Sequence, residues 1–279
     1  MAEISASAVK ALRERTGLPL MECKAALTEA GGDEAKAVAI LREKGVKARD
    51  KSADRETAFG RFGLFAGSDK AAGAMVELKC ESAPVAGNSE FIQLANDLAE
   101  ALAKSNAKSV DELLAQSSPT KAGMTVGEQK DELFNRIREK FEIGRMIRVD
   151  GASGGYSHNA TTVSGVLVSL TSGTNDAAAR DIAMHIAAMR PAALSSSELD
   201  PAVVETERQV LRDLAIKEGK PEAIVDKMVE GRLKQFFAER VLLDQAFVKD
   251  DKLSVGQYAK SHGLEISKFV HYVLGETSA

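Results

Sequence analysis

The sequence predicts an α+β fold: an N-terminal three-helix bundle, two related α/β core subdomains, and an antiparallel helical hairpin inserted in the second. Three observations carry this reading. Apolar residues recur at helical spacing through residues 1–45, and the period changes to strand-like alternation from Ala58. The order strand, turn, strand, loop, helix then occurs twice.

The bundle comes first. Ser5 or Ser7 can cap a helix whose apolar positions Val9 and Leu12 sit three apart. Gly17 is a plausible left-handed stop, and Pro19 falls in the first turn of the next helix. That helix, "LPLMECKAALTEA", carries Leu20, Cys23, Ala26 and Leu27 on one side and ends at Gly31–Gly32. Asp33 caps "EAKAVAILREKG", which Gly45 is expected to close. "VKARDKSADRE" (46–56) has little apolar periodicity and reads as a solvated linker that can be partly helical.

Strands follow in "AFGRFGLFAG" and "AMVELKC", separated by the turn "SDKAAG". Asn88 or Ser89 can cap "EFIQLANDLAEALA", where Phe91, Leu94, Leu98 and Leu102 fall at helical spacing. Shorter helices are expected near Val110–Ala115 and Val126–Phe141. The second copy of the plan runs through "GGYSHN", "VSGVLVSL", "TSGTND" and "AAARDIAMHIAAMR".

An excursion interrupts this second copy. Asp200–Pro201 is a helix start, with Val203, Val210 and Leu214 at heptad-like intervals. Gly219–Lys220–Pro221 reverses the chain, and Ile224, Met228 and Phe236 carry the return helix. "SVGQYAKSHG" is a short helix and "LEISKFVHYVLGE" a strand that can rejoin the second sheet. The expected boundaries are 1–55 for the bundle with its linker, 56–143 for the first subdomain, and 144–279 for the second, interrupted by the hairpin over 198–241.

Composition narrows the function. A chain of 279 residues, 44% hydrophobic and 28% charged, can bury a sizeable core and is not of disordered type. A net charge of −4 argues against nucleic-acid binding over a strongly basic surface, so no direct nucleic-acid partner is expected. No apolar run approaches the ~18 residues of a membrane span, and the polar N-terminus lacks the apolar core of a secretory signal. With only Cys23 and Cys80, the chain fits a reducing, cytoplasmic setting.

Chemistry is hard to find. His158, His185, His262 and His271 are scattered without metal-ligand spacing, and no phosphate-binding GxxxxGK[ST] motif occurs. "GASGGY" has no lysine and reads as a tight turn. Cys80 stands beside Glu81, which would raise a thiol's pKa, so a structural thiol outweighs a nucleophile. No catalytic residue, metal or cofactor is expected. What remains is a binding protein whose loop "ESAPV" (81–85) is held at both ends by packed elements.

At "LRERTGLPLMECKAAL" (12–27) and "VELKCESAPVAGNSEF" (76–91) the sequence resembles the elongation factor Ts family, which exchanges guanine nucleotide on the translational GTPase elongation factor Tu. "HIAAMRP", "GKPEAIVDKMVEGRLKQFFAE" and "QAFVKD" match in kind and order. The resemblance implies a ubiquitin-associated-like N-terminal domain, two related core subdomains and an inserted coiled-coil hairpin. It implies elongation factor Tu, GDP-bound and nucleotide-free, as the partner; whether two copies pair within a Tu–Ts complex stays open.

The resemblance also assigns positions. Arg13, Leu20, Met21 and Lys24 of the bundle, and His185 and Val248 of the second subdomain, would face the GTPase. Leu20 and Met21 are adjacent, so one can be core, and exposure of at least one is expected. From the pattern alone His185 reads as a satisfied structural histidine. The exchange loop, Glu81, Ser82, Ala83, Pro84 and Val85, departs from the family's usual Thr-Asp-Phe-Val after the Cys-Glu or Cys-Gln pair: both the acid and the phenyl ring are missing. Pro84 is expected to bias Ala83 towards extended backbone and so stiffen the tip. The chain also stops soon after "VLGE", without the further helical module of some members.

Overall fold

The computed structural model describes residues 4–219 and 221–276, so Lys220 of the expected chain reversal lies outside it. The chain divides into two compact units. One holds the residues up to Gly63 together with Val76–Ile147; the other holds Leu64–Met75 and the residues from Arg148 onward.

The first unit begins with α1 (Ala6–Thr16), α2 (Leu20–Glu29) and α3 (Glu34–Lys51). Ser5 is the cap of α1, its hydroxyl accepting from the Ala8 N–H at 3.2 Å. Gly17 ends that helix in the left-handed region at φ 68°, where a β-carbon would be penalised. The Asp33 carboxylate accepts from the Lys36 N–H at 3.0 Å and starts α3. Val9, Leu12, Leu18, Cys23, Ala26, Leu27, Ala37 and Leu41 form the bundle's own apolar cluster.

Gly45 does not close α3, which runs on to Lys51 through half of the expected linker. A β-carbon at Gly45 would collide with the Asn135 side chain. The glycine therefore permits close approach to a neighbouring helix rather than ending its own.

The first sheet has the order β1 (Phe59–Phe65), β2 (Ala72–Cys80), β3 (Phe141–Asp150). Between β2 and β3 lie α4 (Ala83–Ala86), α5 (Ser89–Lys104), α6 (Val110–Leu114) and α7 (Val126–Ile137). Asn88 caps α5, and Phe91, Leu94, Leu98 and Leu102 are buried as the periodicity predicts. The expected helix end at Phe141 and the subdomain boundary after residue 143 both give way to β3, which occupies those positions. Central strand β2 is buried on both faces, so Glu77 is buried too; the Arg145 guanidinium donates to both its carboxylate oxygens, at 2.9 and 2.7 Å.

In the second unit, β4 (Ser153–Asn159), β5 (Val163–Ser172) and β8 (Glu265–Val273) form an antiparallel sheet in the order β4–β5–β8. Helix α8 (Asp176–Met189) covers it, and Val166, Val168, Ile182 and Ile186 join Leu242 and Phe247 in the core. Before β8 come α9 (Pro201–Lys217), α10 (Glu222–Arg240), β6 (Ala246–Phe247), β7 (Asp250–Ser254) and α11 (Val255–Ser261).

Helices α9 and α10 pair antiparallel, as the ion pairs Arg208–Glu230 and Arg212–Asp226 require. Phe236 is buried as expected, but the rest of the seam is shifted by one residue: Ala215, Val225, Val229 and Leu233 are buried, whereas Val203, Val210, Leu214 and Ile224 are exposed. Apolar residues on both sides of each helix made either seam compatible with the pattern.

Candidate partner-binding site

The predicted residues fall in three groups: the bundle, the loop after β2, and α8 with the segment after α10. In the bundle, Leu20 is 47% and Met21 71% exposed, and Arg13 and Lys24 are also on the surface. Helix α2 turns Cys23, Ala26 and Leu27 inward, and Leu18 of the preceding turn fills the place expected for Leu20. Both members of the adjacent apolar pair are left in solvent. Two large apolar neighbours at a helix start, with Lys24 exposed on the same helix, make a small sticky patch.

The loop after β2 is built on buried anchors. Cys80 is fully buried, and its thiol donates to the Ser82 carbonyl at 3.3 Å. Burial pushes that thiol up to about 11, with the Glu139 and Glu81 carboxylates acting in the same direction, so it is no nucleophile at neutral pH. Val85 is 9% exposed and points inward, while Ala83 and Pro84 are on the surface.

The tip is not extended. Ala83 opens the single helical turn α4 with Pro84 in its first positions, where the proline's fixed φ suits a helix and its missing N–H costs nothing. The expected bias of Ala83 towards extended backbone is overcome by this turn, whose N–H groups close onto the Ser82 and Ala83 carbonyls from Ala86 and Gly87. The Arg61 Nε–H donates to the Ala86 carbonyl at 3.2 Å and holds the turn's far end.

The carboxylates near the tip are already engaged. Glu81 accepts from the Lys140 backbone N–H at 2.5 Å and pairs with Arg55 at 3.3 Å. Glu139 accepts from both the N–H and the O–H of Ser82, at 3.1 and 2.7 Å. What the loop offers outward is a methyl group and a pyrrolidine ring on a fixed turn.

In the second unit His185 is fully buried in α8, so it presents no surface of its own. The Gln245 amide nitrogen donates to the Glu239 carbonyl at 2.9 Å, which turns its oxygen towards His185 Nε2, also at 2.9 Å. The Val248 N–H donates to Nδ1 at 3.1 Å. These partners assign a neutral ring protonated on Nε2, and burial pushes its pKa below the usual imidazole value. Val248 itself is 48% exposed. Its neighbours pin it: Phe247 is buried against Tyr258, with ring centroids 4.0 Å apart, and Lys249 pairs with Asp181 at 2.7 Å. Gln245 went unrecognised as a functional support, although it opens the "QAFVKD" run.

Among the described residues no group of three or more His, Cys, Asp or Glu side chains is placed to hold a metal ion, and no helix is long and apolar enough to cross a membrane. Residues 64–276 match the family model for "Elongation factor TS". The chain belongs to the elongation factor Ts family.

Similar proteins include the elongation factor Ts of Azoarcus sp. (strain BH72), 43% identical over 278 residues, covering 99% of this chain and 92% of that protein. Those of Aromatoleum aromaticum and Hyphomonas neptunium are 42% and 40% identical, each covering 99% of this chain and 92% and 93% of their own lengths. The chain is accordingly a translation elongation factor of the Ts type. Matches of this extent include the loop whose tip lacks the expected acid and ring, so membership does not depend on that tip.

Proposed function

We propose that this elongation factor Ts acts in the cytoplasm on elongation factor Tu, binding its GDP-bound form, opening the nucleotide site and leaving as GTP enters. No covalent bond is made or broken. The observation that carries the reading is the presence, within one unit, of an exposed Leu20–Met21 pair and an exposed Ala83–Pro84 tip on buried anchors. The bundle serves as the docking module, Arg13 and Lys24 supply charge at its rim, and Val248 adds a contact from the second unit while His185 holds it from beneath.

Exchange of this kind needs differential affinity. The factor must bind the nucleotide-free GTPase more tightly than the nucleotide-bound one, and by linkage nucleotide weakens its binding by the same factor. A tip without a carboxylate displaces partner elements by shape, and its fixed turn lowers the ordering cost of insertion.

One observation favours a second reading. The missing acid and ring are what the family's loop usually presses into the partner, so the chain could hold the GTPase without releasing its nucleotide. Stopped-flow release of labelled GDP from the cognate elongation factor Tu separates the two. Release accelerated at micromolar factor supports exchange; binding without acceleration supports the holding role.

A further inference from the structure

Residues 138–140 form a three-residue joint between α7 and β3 whose members reach three different places in the same unit. Arg138 ends α7 at φ 64°, a left-handed conformation uncommon for a residue with a β-carbon. Its guanidinium reaches back to α2, donating to Glu22 at 2.5 Å, one residue after Met21. Glu139 accepts both donors of Ser82 at the loop tip. The Lys140 N–H donates to Glu81 at the loop's root, and its ammonium donates to the Ala53 and Arg55 carbonyls at 2.7 and 3.0 Å, on the segment leading into β1.

We propose that Arg138, Glu139 and Lys140 are positioning residues that hold the Leu20–Met21 pair and the Ala83–Pro84 tip in one fixed frame. This rests on the exchange reading above and names the device that would make it work. Docking of the GTPase on the bundle patch then sets where the tip arrives, and its binding energy is not consumed in ordering a loose loop. The charges alternate along the joint, and each meets complementary groups: the cation of Arg138 a carboxylate, the anion of Glu139 two donors, the cation of Lys140 two carbonyls. Charge-assisted hydrogen bonds of this kind fix direction as well as distance. A left-handed residue at the joint's first position is a strained feature that surrounding contacts over-determine, as positioning devices require.

The test uses the full chain and elongation factor Tu loaded with fluorescent GDP, with release followed over a range of factor concentrations. Wild-type factor that gives no acceleration would defeat the exchange reading itself. Given acceleration, Glu139→Ala should lower the maximal rate about five- to tenfold while the half-saturating concentration moves by less than about twofold. Glu139→Gln, which keeps one acceptor for the Ser82 N–H and one donor for its hydroxyl, should recover most of the rate.

A readout without the partner separates the two ideas. Amide exchange at residues 82–87 of the free protein should be faster in Glu139→Ala than in wild type, because the turn loses its outer anchor. Arg138→Ala combined with Glu22→Ala should lose no more than the worse single variant, since both break one contact. An unchanged maximal rate and unchanged exchange at 82–87 in Glu139→Ala would overturn the proposal. If that variant does not fold, Ser82→Ala, which removes only the 2.7 Å hydroxyl bond, takes its place, with about a two- to threefold slower maximal rate expected and an unchanged one decisive against.

Discussion

The two α/β repeats use one frame and differ in what leaves it. In each, a third strand returns to pair beside the second strand of a hairpin, giving β1–β2–β3 in one sheet and β4–β5–β8 in the other. Each also brings a helix close to its first strand over a glycine: Gly63 of β1 faces Ala95 of α5, and Gly154 of β4 faces Ala179 of α8. The connections diverge. After β2 the chain makes the turn α4, anchored by Val85 beneath and Glu139 outside, whereas after β5 it passes directly to Asn175, which caps α8. The first excursion, α6–α7, packs on its own subdomain through α5, while the second, α9–α10, encloses its own apolar cluster. A repeated frame supplies stability, and the connections grafted on it are free to carry the differences.

The largest expected effect probes the shared glycine contact. A methyl at Gly63 would run into the Ala95 carbonyl, a backbone group with no flexible atom to give way. At Gly154 it would meet the Ala179 methyl at 2.6 Å and that residue's carbonyl group at 3.0 Å. Gly63→Ala should therefore cost about 3 kcal/mol or more and Gly154→Ala about 1–2 kcal/mol, read from urea unfolding. Equal losses would show that the two contacts are closer equivalents than their geometry suggests.

The next effect sharpens the contrast at the junctions. Pro84→Gly removes both the exposed ring and the fixed φ of the turn, and should slow labelled-GDP release about three- to fivefold. Ala83→Gly removes a methyl and should slow it less than about twofold. Ala83→Asp combined with Pro84→Phe, which restores the family's usual acid and ring, should preserve or increase release. Release unaffected by Pro84→Gly, with binding intact, would move the work to the surfaces around Leu20, Met21 and Val248.

Local chemistry explains which features could be read from sequence. The caps Ser5, Asp33, Asn88 and Asp200 act within three residues of themselves, and the buried face of α5 repeats over four turns, so each left a readable signal. Strand β3 did not, because its Arg145 becomes burial-tolerant only through Glu77, 68 residues earlier. Gly45 had a partner, Asn135, that no local pattern could supply. The hairpin seam was ambiguous because apolar residues line both sides. At the site, the exposure of both Leu20 and Met21 depended on Leu18 filling the bundle core first. The joint at Arg138–Lys140 carried no sequence signal, since three charged residues in a row ordinarily mean a solvated surface.

A smaller effect concerns pH and belongs to the second repeat alone. His185 is neutral in the folded state, and burial holds its pKa below the 6.5 of the free side chain. The unfolded chain therefore binds a proton first as pH falls. This contribution is complete above pH 6.5 and is lost progressively below it, down to the folded-state value. His271 shifts in the same direction, through burial and then the Arg190 charge. Urea unfolding should show stability declining from about pH 7 to about pH 5.5, with a shallower decline in His185→Asn, whose amide oxygen can still accept from Val248. Parallel declines in the two proteins would assign the proton uptake elsewhere.

The smallest expected effect lies at the second excursion. Its two ends meet: the Ala192 N–H donates to the Arg240 carbonyl at 2.8 Å, the Leu242 N–H to the Ala193 carbonyl at 2.9 Å, and Ala193 bridges Val241. Ala215, Val225, Val229, Leu233 and Phe236 bury one another, so their removal opens no cavity in the sheet's core. Val203, Val210, Leu214, Ile216 and Ile224 are already exposed, and deleting them removes apolar surface from water. A short Gly-Ser turn in place of residues 199–238 also closes a shorter loop, which favours folding slightly. The cut keeps Glu198, which accepts from the Leu194 N–H, and residue 239, whose carbonyl holds Gln245 against His185. The melting temperature of the shortened protein should stay within about 5 °C of the full chain. A lost cooperative transition would show that the hairpin is part of the second repeat's core, and that the excursion is no freer than the frame it leaves.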